Sequence, residues 1–353
     1  MTTPWLPLVA AGLGLWLCSA LLMPVGLAMT AGMGRRVGLL AQLALCGAMR
    51  LLVAIFALQA GLFELVKASL TGTILASALL GLGLAAFAGG LRHGHQYFDR
   101  EQAGMATTLM VLAVIALALP AIHGGLHPEQ PRNGGSIEGL SLAVAGVMLA
   151  MYLLSLYYDL VWQAREAGRQ PALAGLARRG ALVTDRPLLS LGLLPRALEL
   201  PALAAGTWLV TLVAFSFLAR RFVTAAAVVL ARDPGAVLLV GLVAAPLAGN
   251  AAEYLATIRA GWHNRMDLAL ASATDTCRQV ALLGVPLLVL GSLALGRPMD
   301  LVFGPYELAA LAAAALVANL VAQDGVTNWL EGAMLGGVYA VFCLALFWWS
   351  GAF

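Results

Sequence analysis

The sequence predicts an all-α polytopic membrane protein of about ten transmembrane helices, arranged as two inverted repeats of five. Three observations carry this. The 353 residues are 61% hydrophobic and only 10% charged, with a mean hydropathy of +0.91, whereas soluble chains carry about 25% charged residues. The few charges gather between apolar runs instead of alternating with them. A segment of the first half also recurs in the second half at a fixed offset. This composition excludes a soluble enzyme, a secreted disulfide scaffold and a disordered chain.

Apolar runs long enough to cross roughly 30 Å of hydrocarbon cover residues 5–29, 37–60, 65–91, 103–122 and 140–162 in the first half. In the second half they cover 202–218, 236–260, 268–295, 301–322 and 330–349. A lipid-exposed sheet edge cannot satisfy its backbone groups, so the runs must be helices. The first run lacks a basic leader and is too long for a signal peptide's apolar core, so it is expected to stay as a span. Cys18, Cys46, Cys277 and Cys343 all lie within apolar stretches and read as buried thiols. The five histidines, His93, His95, His123, His127 and His263, fall in loops without metal-ligand spacing. Trp348 and Trp349 fit an interfacial aromatic belt. Asn328 followed by Glu331 fits a capping box for the last helix, and Gln323 and Asp324 close the span before it. A net charge of +3, widely dispersed, provides no nucleic-acid-binding patch.

The polar stretch between the halves contains Arg165, Arg169, Arg178, Arg179, Arg186 and Arg196. It divides the chain into a first repeat at 1–163, a linker loop at 164–201 and a second repeat at 202–353. Basic residues set orientation. Twelve fall on one side of the expected spans: the six loop arginines with Arg35, Arg36, Arg92, Arg100, Arg259 and Arg265. Six fall on the other: Lys67, Arg132, Arg220, Arg221, Arg232 and Arg297. The central loop is therefore expected to be cytoplasmic and both termini outside. Asp159, near the end of its span, is expected at the cytoplasmic interface. Frequent Ala, Gly, Leu and Arg with a single lysine suggest a GC-rich bacterial genome, hence a bacterial cytoplasmic membrane. Two basic residues, Arg50 and Arg278, lie within spans.

The repeat has an offset of 203 positions. Ala68-Ser-Leu-Thr-Gly-Thr-Ile-Leu-Ala-Ser-Ala-Leu-Leu80 aligns with Ala271-Ser-Ala-Thr-Asp-Thr-Cys-Arg-Gln-Val-Ala-Leu-Leu283, with seven of 13 positions identical. Alanine and leucine match easily in such a chain, but the shared serine and two threonines do not. An odd number of spans per half makes the two copies antiparallel. Inverted repeats of broken, small-residue-rich helices characterise secondary transporters, with the site at the midplane between them. Gly47, Gly72 and Gly249 permit close packing or unwinding there. The same offset pairs Arg50 with Glu253, two opposite charges at equivalent positions.

These residues carry a resemblance to a family. Pro246-Leu-Ala-Gly-Asn-Ala-Ala-Glu-Tyr254 and Asn264-Arg-Met-Asp-Leu-Ala-Leu270 resemble the second repeat of proton-coupled calcium/cation antiporters of the CAX type. So do Pro298-Met-Asp-Leu-Val-Phe303, Gln323-Asp-Gly325 and Asn328-Trp-Leu-Glu-Gly332. In the first half, Ala54-Ile-Phe-Ala-Leu-Gln-Ala-Gly61, Val66-Lys-Ala-Ser-Leu-Thr-Gly72 and Gly83-Leu-Ala-Ala-Phe-Ala-Gly-Gly-Leu-Arg92 are similar as well. The resemblance implies the sodium/calcium exchanger-like fold and no cofactor. It also implies a transported cation, calcium or another, exchanged against protons by alternating access. An extra N-terminal helix common in the family is expected to be absent. Ion-path positions by resemblance and placement are Asn250, Glu253, Asp275, Thr276, Gln279, Thr73 and Ser77, with Glu253 the metal-contacting carboxylate. The hydroxyl and amide residues Thr73, Ser77, Thr276 and Gln279 equally well bond neighbouring helices.

The departures from the family are specific. Where the family places an acidic residue in each repeat, Glu253 matches the second and Arg50 replaces the first. The family's Gly-Ser-Ser-x-Gln is here Asp275-Thr-Cys-Arg-Gln279, and its Gly-Ser-x-x-x-Asn is Gly72-Thr-Ile-Leu-Ala-Ser77. Each ionisable group costs about 2.5–3.5 kcal/mol at the bilayer centre, so Arg50, Glu253, Asp275 and Arg278 are expected to pair. Asp275 and Arg278 can meet as i,i+3 neighbours, and Arg50 and Glu253 across the repeat axis. A guanidinium in the site repels a divalent ion and offers donors where calcium needs six to eight oxygens. It acts as a built-in cation, so calcium/proton exchange is expected to be altered in selectivity or coupling. The alternative is a transport-inactive paralogue serving as a membrane partner or sensor. No catalytic Ser/His/Asp, His-Glu-x-x-His or paired-aspartate arrangement lies within the spans, so an enzyme is not expected.

Overall fold

The computed structural model describes residues 5–30, 47–48, 50–126, 135–162 and 201–349. Nearly all of them are helical. In chain order the helices are α1 (Trp5–Thr30), α2 (Arg50–Gln59), α3 (Phe63–Leu75), α4 (Leu82–His93), α5 (Arg100–Leu126) and α6 (Gly135–Tyr157). The second half contributes α7 (Pro201–Arg232), α8 (Ala236–Gly249), α9 (Ala251–Trp262), α10 (Met266–Gln279), α11 (Val285–Ala294), α12 (Pro305–Asp324) and α13 (Trp329–Trp349). Single π-helical turns splice α3 to α4 (Ala76–Gly81) and α10 to α11 (Val280–Gly284), and a third extends α6 (Tyr158–Trp162).

Among the described residues, eight helical stretches are long and apolar enough to cross a membrane. A ninth is the pair α8–α9, bent by 67° at Asn250. The expected span at 37–60 is described only in its second part, as α2; Arg35, Arg36, Arg132 and the arginine-rich linker also lie outside the described residues.

The offset seen in the sequence holds element for element. Phe63 and Met266 open α3 and α10, and Leu82 and Val285 open α4 and α11, each pair 203 positions apart. The axis relating the halves can be located, because equivalent positions of two copies can touch only beside it. Cys277 Sγ lies 3.5 Å from the carbonyl oxygen of Ile74, 203 residues away. Arg50 meets Glu253 at the same separation.

Around this axis α3 and its π turn are buried almost throughout, while α1 and α7 pack along each other at the side. Leu15, Leu22, Phe215 and Phe222 fill the α1–α7 contact side with almost no exposure. Small residues let the central helices approach closely. At Gly72 an added Cβ would lie 2.5 Å from the Leu242 backbone. Gly72→Ala should therefore cost about 1–3 kcal/mol through overpacking. A thermal midpoint of the detergent-purified protein unchanged by this substitution would contradict the packing.

Three details depart from the sequence expectation. The span expected at 202–218 continues as α7 to Arg232, so Arg220 and Arg221 are helical residues and not loop charges. Their guanidinium groups lie 5.1 Å from the rings of Phe56 and Phe217, respectively, with the aliphatic stems covering apolar surface. At 32 residues α7 is roughly 48 Å long, longer than the hydrocarbon core. Second, residues 297–304 are neither helix nor strand, and α12 begins only at Pro305. Third, Lys67 is buried in α3, at 2% exposure. Its ammonium donates to Asp300 Oδ1 at 2.5 Å, the Val302 carbonyl at 2.9 Å and Glu64 Oε1 at 3.4 Å. This non-helical segment supplies two of those three acceptors, which satisfies every ammonium proton.

The helical framework also contains one small ladder that hydropathy did not predict. Gln96–Tyr97 pairs antiparallel with Val326–Thr327. The buried Gln96 side chain donates to the Gly261 carbonyl (2.8 Å) and Asn264 Oδ1 (3.2 Å), tying the end of α4 to the end of α9. Asn328 caps α13: its Oδ1 accepts from the Leu330 and Glu331 amides at 2.9 and 3.1 Å. Its Nδ2 donates to Glu331 Oε1 at 2.7 Å.

Candidate functional site

The site is built on the break between α8 and α9. Pro246 and Gly249 precede the break, and Asn250 takes a non-helical conformation (φ −116°, ψ 20°). Its amide still bonds back to the Pro246 carbonyl at 3.0 Å, so α8 closes cleanly, and α9 restarts at Ala251. The restart leaves a helix N-terminus deep among the spans, with Glu253 in its first turn. Amide dipoles there favour negative charge. Local sequence thus places a carboxylate where the backbone already supports one.

Arg50 approaches this carboxylate from the first repeat. Its Nε lies 3.5 Å from Glu253 Oε2, with the side chains 13% and 11% exposed. The contact is single-pronged: Arg50 Nη1 and Glu253 Oε1 are both buried without a hydrogen-bond partner among the described residues. Beside it, Asn250 Nδ2 reaches Thr73 Oγ1 at 3.4 Å, joining the break in the second repeat to α3 of the first. A cavity of about 20 Å³ lies between them, lined by Arg50, Ser69, Thr73, Asn250 and apolar neighbours. That is room for one water-sized guest.

A second group of charges lies on α10. Arg278 Nη2 donates to Asp275 Oδ1 at 2.9 Å, the i,i+3 pairing expected from sequence. Its Nη1 donates to Asp159 Oδ2 at 2.7 Å and lies 3.4 Å from Ser155 Oγ. Asp159 sits in the π turn that ends α6. It pairs with Arg278, a contact that the expectation of a place at the cytoplasmic interface did not include. The spacing along α6 gave no sign that its end packs on α10, and that packing makes the pair.

The remaining expected site residues divide. Thr73 bonds the Ser69 carbonyl at 2.8 Å and also faces Asn250 across the repeats. Thr276 bonds the Ser272 carbonyl at 3.0 Å within its own helix, the helix-bonding reading left open by the sequence. Ser77 and Gln279 are buried at 2% and 4%; Ser77 lies within hydrogen-bonding reach of the Tyr254 hydroxyl, and Gln279 Oε1 lacks a partner among the described residues. Gly72 faces Leu242 and serves close packing. Thr257, which the sequence reading passed over, anchors the Glu253 turn by donating to the Glu253 carbonyl at 2.8 Å. Among the described residues no three His, Cys, Asp or Glu side chains converge as a metal-binding group. The arrangement offers instead paired charges, unpaired acceptor oxygens and a one-guest cavity at the axis between two halves.

Comparison with known proteins agrees with this frame. Residues 3–161 and 203–348 match the family model described as sodium/calcium exchanger protein. The chain is 31% identical over 306 residues to the Ca2+/H+ antiporter of Synechocystis sp., covering 85% of this chain and 79% of that one. It is 28% identical over 323 residues to the Ca2+/H+ antiporter ChaA of Bacillus subtilis, covering 89% and 84%. Among solved structures, native YfkE superposes with a TM-score of 0.77 at 23% identity, covering 96% of this chain and 91% of the other. An H+/Ca2+ exchanger, CAX, superposes at 0.64 and 16% identity, covering 99% and 85%, a likeness of fold.

Proposed function

The chain belongs to the sodium/calcium exchanger protein family, and on that premise we propose that it is a cation/proton antiporter whose site is rebuilt around Arg50. The two halves, 1–163 and 202–353, alternate access to the axis between them, joined by a cytoplasmic loop at 164–201. The membrane is a bacterial cytoplasmic membrane and both termini face outward. Glu253 is the second-repeat carboxylate on which the exchange site depends, and Arg50 is a resident counter-charge in place of the partner carboxylate.

The observation that carries this reading is the meeting of Arg50 and Glu253 at equivalent positions, 3.5 Å apart, where the repeats face each other. A calcium ion collects six to eight oxygen ligands. Here one flank of the site offers guanidinium donors and a fixed positive charge. The antiporters named above supply the substrate class, a cation against protons; the arginine argues that calcium is handled poorly. Everted vesicles from cells expressing the full chain, loaded with a pH-sensitive dye, test it. Glu253→Gln should reduce ion-driven proton flux at least tenfold. Flux equal to wild type in that variant would remove Glu253 from the mechanism, and wild-type vesicles silent to every cation would favour the transport-inactive alternative.

A further inference from the structure

Counting charges at the axis gives an odd result. Among the described residues the cluster holds two guanidinium groups, Arg50 and Arg278, and three carboxylates, Glu253, Asp275 and Asp159. Arg50 is occupied by Glu253, and Arg278 divides its two terminal nitrogens between the two aspartates. One carboxylate therefore has no cation of its own.

The groups act as a unit. Asp275 lies within the electrostatic reach of Arg278, Asp159 and Arg50, and Glu253 within that of Arg50 and Asp275. Tyr152, on α6, lies within the electrostatic reach of Arg278, Asp275, Arg50 and Asp159, and Cys277 within that of Glu253, Arg50 and Asp275. Of the two carboxylates sharing Arg278, Asp275 is the more open, with its side chain 48% exposed against 26% for Asp159. Asp275 is also one helical turn before Gln279 on α10, so the two share a face.

A second observation is independent of the charges. Gln279 Oε1 is an acceptor on a side chain 4% exposed, and it finds no donor among the described residues. Even if the Arg50 fork closes onto Glu253 Oε1, this amide oxygen stays unpaired. A buried acceptor without a donor, one helical turn from a carboxylate that shares its only cation, calls for a cation. A monovalent cation or a proton neutralises the cluster. A divalent ion would leave it positive in a medium that penalises net charge.

We propose that the exchange site of this chain takes one alkali-metal cation or one proton at a time. Asp275, sharing Arg278 with Asp159, supplies the exchangeable negative charge. The proposal rests on the antiporter reading above and specifies its cargo. Release of the metal ion leaves the carboxylate free to take a proton on the same side. The reverse happens on the opposite side, so exchange is one for one and moves no net charge.

The same vesicle assay, run with sodium, potassium, lithium, calcium and manganese salts, reads this directly. Wild-type flux should follow sodium or potassium and exceed that with calcium at least tenfold. Clamping the membrane potential with valinomycin should leave the rate unchanged. Asp275→Asn should reduce the monovalent flux at least tenfold, and Asp275→Glu should retain most of it. Calcium-driven flux without monovalent flux would overturn the proposal while leaving the antiporter reading standing, as would an Asp275→Asn variant that transports like wild type. If no ion drives flux, the antiporter reading fails. Thermal shifts of the purified chain then decide the binding proposal: sodium or potassium should stabilise wild type and leave Asp275→Asn unaffected. No shift with either ion would overturn it.

Discussion

Replacing Arg50 with glutamate is expected to confer calcium-dependent proton exchange, at least tenfold above the wild-type rate in everted vesicles. The substitution removes the guanidinium that meets Glu253 at 3.5 Å and places a second carboxylate at the equivalent position of the other repeat. It adds two negative charges to the axis, which one divalent ion offsets. It also converts donors into oxygen ligands of the kind calcium prefers. Two carboxylates left without a cation repel each other, so the variant's stability should depend on added divalent ion, where wild type's does not. Arg50→Gln separates the contributions: it removes the positive charge without supplying a ligand and should raise calcium flux less. An Arg50→Glu protein that folds, binds calcium by thermal shift and still fails to exchange it would show that the arginine is not what sets selectivity.

Lys67→Met is expected to be the most destabilising single change, costing about 3–5 kcal/mol, because it leaves the Asp300 carboxylate charged and partly buried without its cation. Lys67 is 2% exposed and all three ammonium protons are used, two of them by the non-helical segment before α12. Losing it should loosen that segment as well as the ion pair. Lys67→Met combined with Asp300→Leu removes both charges and should recover a substantial part of the loss. Chemical denaturation of the purified protein in detergent reads both variants. A single variant within about 1 kcal/mol of wild type would contradict the buried pairing. The exposed Glu64 contact adds little, since solvent screens it.

Much of the candidate site was legible along the chain. The offset that related Arg50 to Glu253 is a property of sequence alone, and the structure has the two residues touching. The Asp275–Arg278 pair followed from helical spacing in the same way. Asp159 was visible as a charge near the end of its span, but its partner could not be read, because the partner sits on a helix more than a hundred residues away. The partner of Lys67 could not be read for a related reason. Hydropathy treats every charge near a span's end as facing water, and cannot see an acceptor-rich segment folded over it. Arg220 and Arg221 ended a predicted span because charge lowers hydropathy, although long cationic side chains lie along a helix readily.

The sequence by itself determined the membrane-spanning helical class, the two-fold repeat, the broken helix's glycine and proline, and the opposite charges at equivalent positions. Each is written in composition, period or offset, and each follows from the need to satisfy backbone groups in lipid. Tertiary structure alone decided which charges are shared between helices: Lys67 with Asp300, and Arg278 between Asp275 and Asp159. Those pairings depend on which helix ends pack together, and a charge inside a membrane protein takes its meaning from the partner that packing brings within about 3 Å.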